Sequence, residues 1–172
     1  MIATEQLSSD ETASGERADL LATLALNRHF LRHTVQNLTD EQARLTPTAS
    51  QLCLGGLIKH VTATEAEWTR FAQGLPSHDQ ETTDWAGEFR FGEDETLTGL
   101  LERYEEVARR TEELVATLDL NTSYPLPEAP WFEPGARWTV RRVLTHLIAE
   151  TAQHSGHADI IRESLDGQKT MG

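Results

Sequence analysis

Apolar residues return along this chain at helical spacing, with no sustained alternation that would suggest strands. Between Gly15 and Leu38, the positions Leu20, Leu21, Leu24, Leu31, Val35 and Leu38 recur at steps of three, four and seven, which predicts a first long helix. Thr39-Asp40-Glu41-Gln42 then has the form of a capping box and predicts a short helix that Pro47 ends. Ser50 is the expected N-cap of a second long helix, whose apolar stripe is Leu54, Leu57, Ile58, Val61, Trp68, Phe71 and Ala72 and whose stop is Gly74 with Pro76. Residues 76–94 read as an acidic, polar connection. A third helix is expected from Thr96 to Leu118, with Leu97, Leu100, Leu101, Tyr104, Ala108, Leu114 and Val115 facing inward. The segment Asn121–Trp138 carries Pro125, Pro127, Pro130 and Pro134 and reads as a second long loop, of the kind that is often functional. The last helix should start after Thr139 as N-cap, with Trp138 and Val143 placed as a hydrophobic staple. Gly167 supplies the left-handed residue that ends it. Four long helices and two long connections predict an all-α four-helix bundle. It is expected as one domain over residues 15–172, behind a flexible tail of residues 1–14.

Composition narrows the function classes. At 172 residues the chain can bury a core without disulfides, and its single cysteine, Cys53, excludes an internal disulfide framework. The net charge is -13, with only 15 Lys and Arg, so nucleic acid and anionic membrane are poor partners. The longest apolar runs are far short of a membrane span. The polar start, Met1 to Gly15, has neither the basic nor the apolar part of a signal peptide. A cytoplasmic protein is expected.

The last helix holds the informative stretch: His146, Glu150, His154, His157 and Asp159. His154 falls inside the stripe Val140, Val143, Leu144, Leu147, Thr151, Ala158 and Ile161, and Glu150 lies at its edge one turn earlier. An i, i+4 carboxylate and imidazole converge on one point, as helix-borne metal ligands do. The same spacing also suits a hydrogen-bonded core pair. Two ligands leave a metal under-coordinated, and His60 is the best third candidate because it flanks the inward stripe of the second helix. Three protein ligands with an open position form the catalytic arrangement. An N,N,O set suits zinc, with nickel, iron and manganese as alternatives. His157 or Asp159 could orient a ligand from outside the set, whereas His146 sits further from the stripe and reads as solvated or supporting. His29 and His33 share a face of the first helix, where a solvated or interhelical role is the simpler reading. Cys53 reads as a small core residue. Trp131 and Trp138 are candidates for lining a pocket, and Leu26 with Phe30 for a dimer contact.

The segments "GGLIKHVTATEAEW" around His60 and "VLTHLIAETAQHSGHADIIRESLDG" from Val143 to Gly167 resemble the DinB-like superfamily. The similarity runs from about Arg17 to the end. The resemblance implies a four-helix bundle with a divalent metal at one end. His60 and His154 match the outer two positions of a triad that is often three histidines. Glu150 departs from that pattern and is similar to the His, Glu, His set of the branch that includes mycothiol-dependent maleylpyruvate isomerase. The resemblance therefore implies zinc as the usual metal, a homodimer in many members, and transfer of a thiol to a small electrophile. Mycothiol, or another low-molecular-weight thiol, would be the co-substrate. That isomerase has a further C-terminal domain and this chain ends soon after its last helix, so a stand-alone thiol S-transferase is the expected analogue. A non-catalytic metal-binding or ligand-sensing bundle and a metal-dependent hydrolase are the alternatives that use the same ligands.

Overall fold

The computed structural model describes residues 9–76 and 85–170. Most of the expected tail, residues 1–8, and the centre of the acidic connection, residues 77–84, lie outside the described residues. Among the described residues, six helices and two short strands follow in order: α1 Ser9–His33, α2 Asp40–Arg44, α3 Leu54–Ala72, α4 Trp85–Glu88, α5 Leu97–Val115, β1 Ser123–Pro125, β2 Arg137–Thr139 and α6 Val140–Asp166. The four long helices, α1, α3, α5 and α6, make the bundle. α1 packs on α6, α6 on α3 and α3 on α5, while α1 and α5 touch more lightly to close the ring.

Local chemistry sets the helix ends. The capping box ahead of α2 is complete: the Gln42 N–H donates to Thr39 Oγ1 at 3.2 Å, and the Thr39 N–H donates to Gln42 Oε1 at 2.9 Å. Thr96 and Thr139 cap α5 and α6 through the Gly99 and Arg142 N–H groups, and Gly167 ends α6 at φ +80°. The N-cap of α3 is Cys53 rather than Ser50. Its Sγ accepts from the Gly56 N–H at 3.4 Å, while Ser50 Oγ accepts from the Leu52 N–H at 2.9 Å in the approach to the helix. The buried cysteine is thus a cap as well as core. α1 starts at Ser9, ahead of the expected Gly15.

The long connections hold structure that apolar periodicity does not reveal. β1 pairs antiparallel with β2, with Tyr124 opposite Trp138, so the proline-rich loop is closed at its base. That pairing fixes Trp138 against α3. In the other connection, the stretch after α4 presses onto the start of α3. A Cβ on Gly55 would lie 2.3 Å from the Phe91 ring, and one on Gly56 would lie 1.9 Å from the Phe89 carbonyl oxygen. Only the two glycines allow this approach.

Among the described residues the interior holds two apolar clusters. One gathers Leu31, Leu54, Leu57, Ile58, Val61, Tyr104 and Ile161; the other gathers Leu24, Phe71, Val115, Val143, Leu144 and Leu147. Along each long helix a buried polar residue stands between them: Arg28 on α1, Glu65 on α3, Thr111 on α5 and Thr151 on α6. Arg28 and Glu65 are 4% and 1% exposed and form a two-pronged ion pair, with a further Arg28 contact to Glu112 at 2.9 Å. No described helix is long and apolar enough to cross a membrane.

Candidate metal centre

At the level of the polar belt, α3 and α6 face each other across a group of donor atoms. His60 projects from α3 beside the buried Val61; Glu150 and His154 project one turn apart from α6. The structure brings the three together. His60 Nε2 lies 3.1 Å and His154 Nε2 3.2 Å from the same oxygen, Glu150 Oε1. One ligand atom from each residue falls within 4.8 Å of the others, the one such group of three among the described residues. Donors about 2.0–2.1 Å from a tetrahedral cation stand roughly 3.3 Å apart, so the two imidazole–carboxylate separations match edges of that polyhedron. Two neutral imidazoles and one carboxylate leave a net charge of about +1 on a divalent ion, which keeps Lewis acidity. The donor set therefore fits a divalent cation.

The surroundings favour an ionised carboxylate. Bonds from His154 and then His60 hold the Glu150 carboxyl well below the ordinary carboxylate range, against a smaller opposing effect of burial. The Phe89 ring stacks on His60 at 3.9 Å between centroids and covers one side of the group. His60 Nδ1 is buried without a hydrogen bond; Glu88 Oε2 stands 3.5 Å away, outside hydrogen-bond geometry. On the other side, His157 Nδ1 meets His154 Nδ1 at 3.3 Å, so one of these nitrogens donates and the other accepts. Asp159 is engaged elsewhere: its Oδ1 accepts from the backbone N–H of Thr170 at 2.7 Å and from the Thr170 hydroxyl. This carboxylate ties down the segment after α6.

A family model described as mycothiol-S-transferase matches residues 19–167 and so spans both α3 and α6. The chain belongs to the mycothiol-S-transferase family. This is a DinB-like family, and the structural comparison agrees on the fold. A crystal structure of a conserved protein from Enterococcus faecalis superposes with a TM-score of 0.67 at 16% identity, over 87% of this chain and 96% of that one. No curated protein matches the chain.

Other residues of this family member fall into place around the group. His146, one turn before Glu150 on α6, packs edge-on against Trp68 and Trp138, with centroids at 4.9 and 5.2 Å. Burial lowers its pKa from the ordinary histidine value. Trp138 stacks on Trp68 at 4.6 Å, whereas Trp131 is 68% exposed. His29 and His33 have ring centroids 6.3 Å apart, with no third metal-binding side chain grouped with them among the described residues. Leu26 is exposed and Phe30 half-buried on α1. Glu88 and Phe89 were not legible as site residues, because nothing periodic marks the connection that carries them. Two signals were present: Gly55-Gly56 at the start of α3 announces a close approach, and Phe89 and Phe91 are isolated aromatics in an acidic stretch.

Proposed function

We propose that this protein is a divalent-metal-dependent thiol S-transferase that joins mycothiol to a small electrophile. The observation that supports this reading best is the convergence of His60 Nε2, Glu150 Oε1 and His154 Nε2 from two helices. Zinc is the metal that the N,N,O set suits best. A divalent cation bound there supplies Lewis acidity that favours a thiolate over a thiol at neutral pH.

The chain's own residues prepare that chemistry. Glu150 stays ionised and holds both imidazoles toward one point. His154 can offer the lone pair of Nε2 only with its proton on Nδ1. His157 Nδ1 is placed to accept that proton in a hydrogen bond, and so sets the tautomer. Phe89 limits water access from the His60 side. The thiol sulfur then attacks the electrophilic carbon. A sulfur–carbon bond forms, the leaving group departs with its electron pair, and the thiol proton passes to solvent.

The test is mycothiol consumption with monochlorobimane, which releases chloride on alkylation. Protein stripped by a chelator should be inactive and recover with added zinc. No turnover would leave a non-catalytic metal-binding bundle as the better reading, and chelator-insensitive turnover would remove the metal from the reaction. Substrate turnover without any thiol would point to hydrolysis instead.

A further inference from the structure

From the ligand set toward the start of α6, the α3–α6 face carries a second group of side chains that the metal site does not use: Trp68, Trp138, His146 and Arg142. Arg142 is exposed, and its guanidinium lies 4.9 Å from the Trp138 ring centroid. Among the described residues its guanidinium has no hydrogen bond and no carboxylate partner, in a chain with a net charge of -13. Its neighbour Arg141, by contrast, is held by Glu16 and Asn121. A cation in the first turn of a helix works against the helix dipole, so the charge does not serve α6 itself. The indole N–H groups of Trp68 and Trp138 and the ring nitrogens of His146 also have no hydrogen-bond partner, and none is sealed from solvent. Indole and guanidinium nitrogens are donors only. Burial favours the neutral form of His146, which leaves Arg142 as the cation of the group.

We propose that Arg142, with Trp68, Trp138 and His146, forms a subsite for the carboxylate of the electrophile, the planar part of that molecule lying against the indoles. Arg142 precedes Glu150 by eight residues, roughly 12 Å of helix, and His146 lies midway. A small organic acid anchored by Arg142 thus extends toward the metal ligands. The acid group belongs to the electrophile because mycothiol, an amide-linked sugar thiol, has no carboxylate. This deepens the transferase reading and rests on it for the word electrophile; the binding site itself is tested without turnover.

Metal-loaded, 15N-labelled protein is titrated with benzoate and, separately, with benzamide, and the indole N–H resonances are followed by NMR after assignment with single Trp→Phe variants. Benzoate should shift the Trp68 and Trp138 signals saturably while leaving Trp131 still. Benzamide should bind at least about tenfold more weakly, and Arg142→Met should weaken benzoate by a similar factor, with Arg142→Lys recovering part of it. Equal response to acid and amide, an unmoved Trp68 and Trp138, or wild-type benzoate affinity in Arg142→Met would overturn the subsite. In steady-state transfer, Arg142→Met should raise the KM of a carboxylate-bearing electrophile and leave that of its amide and of the thiol unchanged; a rise in the thiol KM alone would overturn the assignment to the electrophile. A protein that binds benzoate through Arg142 yet transfers no thiol would refute the transferase reading while leaving the subsite intact.

Discussion

Two carboxylates on helices packed together, α3 and α6, are partnered in opposite ways. Glu65 is 1% exposed and gripped by both prongs of the Arg28 guanidinium. Glu150 has a side chain 21% exposed and shares one oxygen between two imidazoles. A guanidinium has donors only and keeps its charge, so the Arg28–Glu65 pair is chemically closed. An imidazole can give up its proton and present a lone pair, so the His60–Glu150–His154 group can exchange protons for a cation. Burial alone does not mark a functional carboxylate here; the chemistry of its partners does.

The largest effect should come from the closed pair. Arg28→Met strands the Glu65 charge in the interior and should cost about 3–5 kcal/mol in urea denaturation. Replacing both partners with apolar residues of similar volume should restore most of that. An Arg28→Met variant as stable as wild type would erase the contrast between the two carboxylates. Next in size, His157→Ala should weaken zinc binding by about 10–100-fold in a chelator competition, with the denaturation midpoint little changed. An unchanged zinc affinity would remove His157 from the account. Smallest at neutral pH is Tyr104→Phe. The Tyr104 hydroxyl is buried without a hydrogen bond, so its removal should change stability by no more than about 1 kcal/mol. Burial, and then the charge of Glu65, raise the Tyr104 pKa above its ordinary value of 10.0. The unfolded chain therefore ionises first as pH rises. The stability that Tyr104 contributes is present below pH 10 and lost above it, and Tyr104→Phe should show a shallower alkaline loss than wild type.

Much of this was legible in the sequence. The four long helices and the caps at Thr39, Thr139 and Gly167 follow from residue type and spacing. The neighbourhood of Glu150 and His154 follows from one turn of helix. The approach of His60 is a contact 90 residues away in the chain; its place beside the inward stripe made it a candidate, and the family resemblance strengthened that. Arg28 and Glu65 each interrupt an apolar stripe, Arg28 between Leu24 and Leu31 and Glu65 between Val61 and Trp68. A charge inside a stripe asks for a partner, but spacing on one helix cannot say which residue of another supplies it. The hairpin and α4 were hidden in long connections, because three-residue strands and a single helical turn are too short to show a period.

Metal analysis of purified protein decides whether His60, Glu150 and His154 hold a divalent ion. Wild-type protein from metal-sufficient growth should carry close to one equivalent of a divalent metal, zinc foremost, after dialysis. His154→Ala and Glu150→Ala should fold and carry about a tenth of that or less. Dialysed wild-type protein without stoichiometric metal, or either variant with wild-type content, would contradict the account.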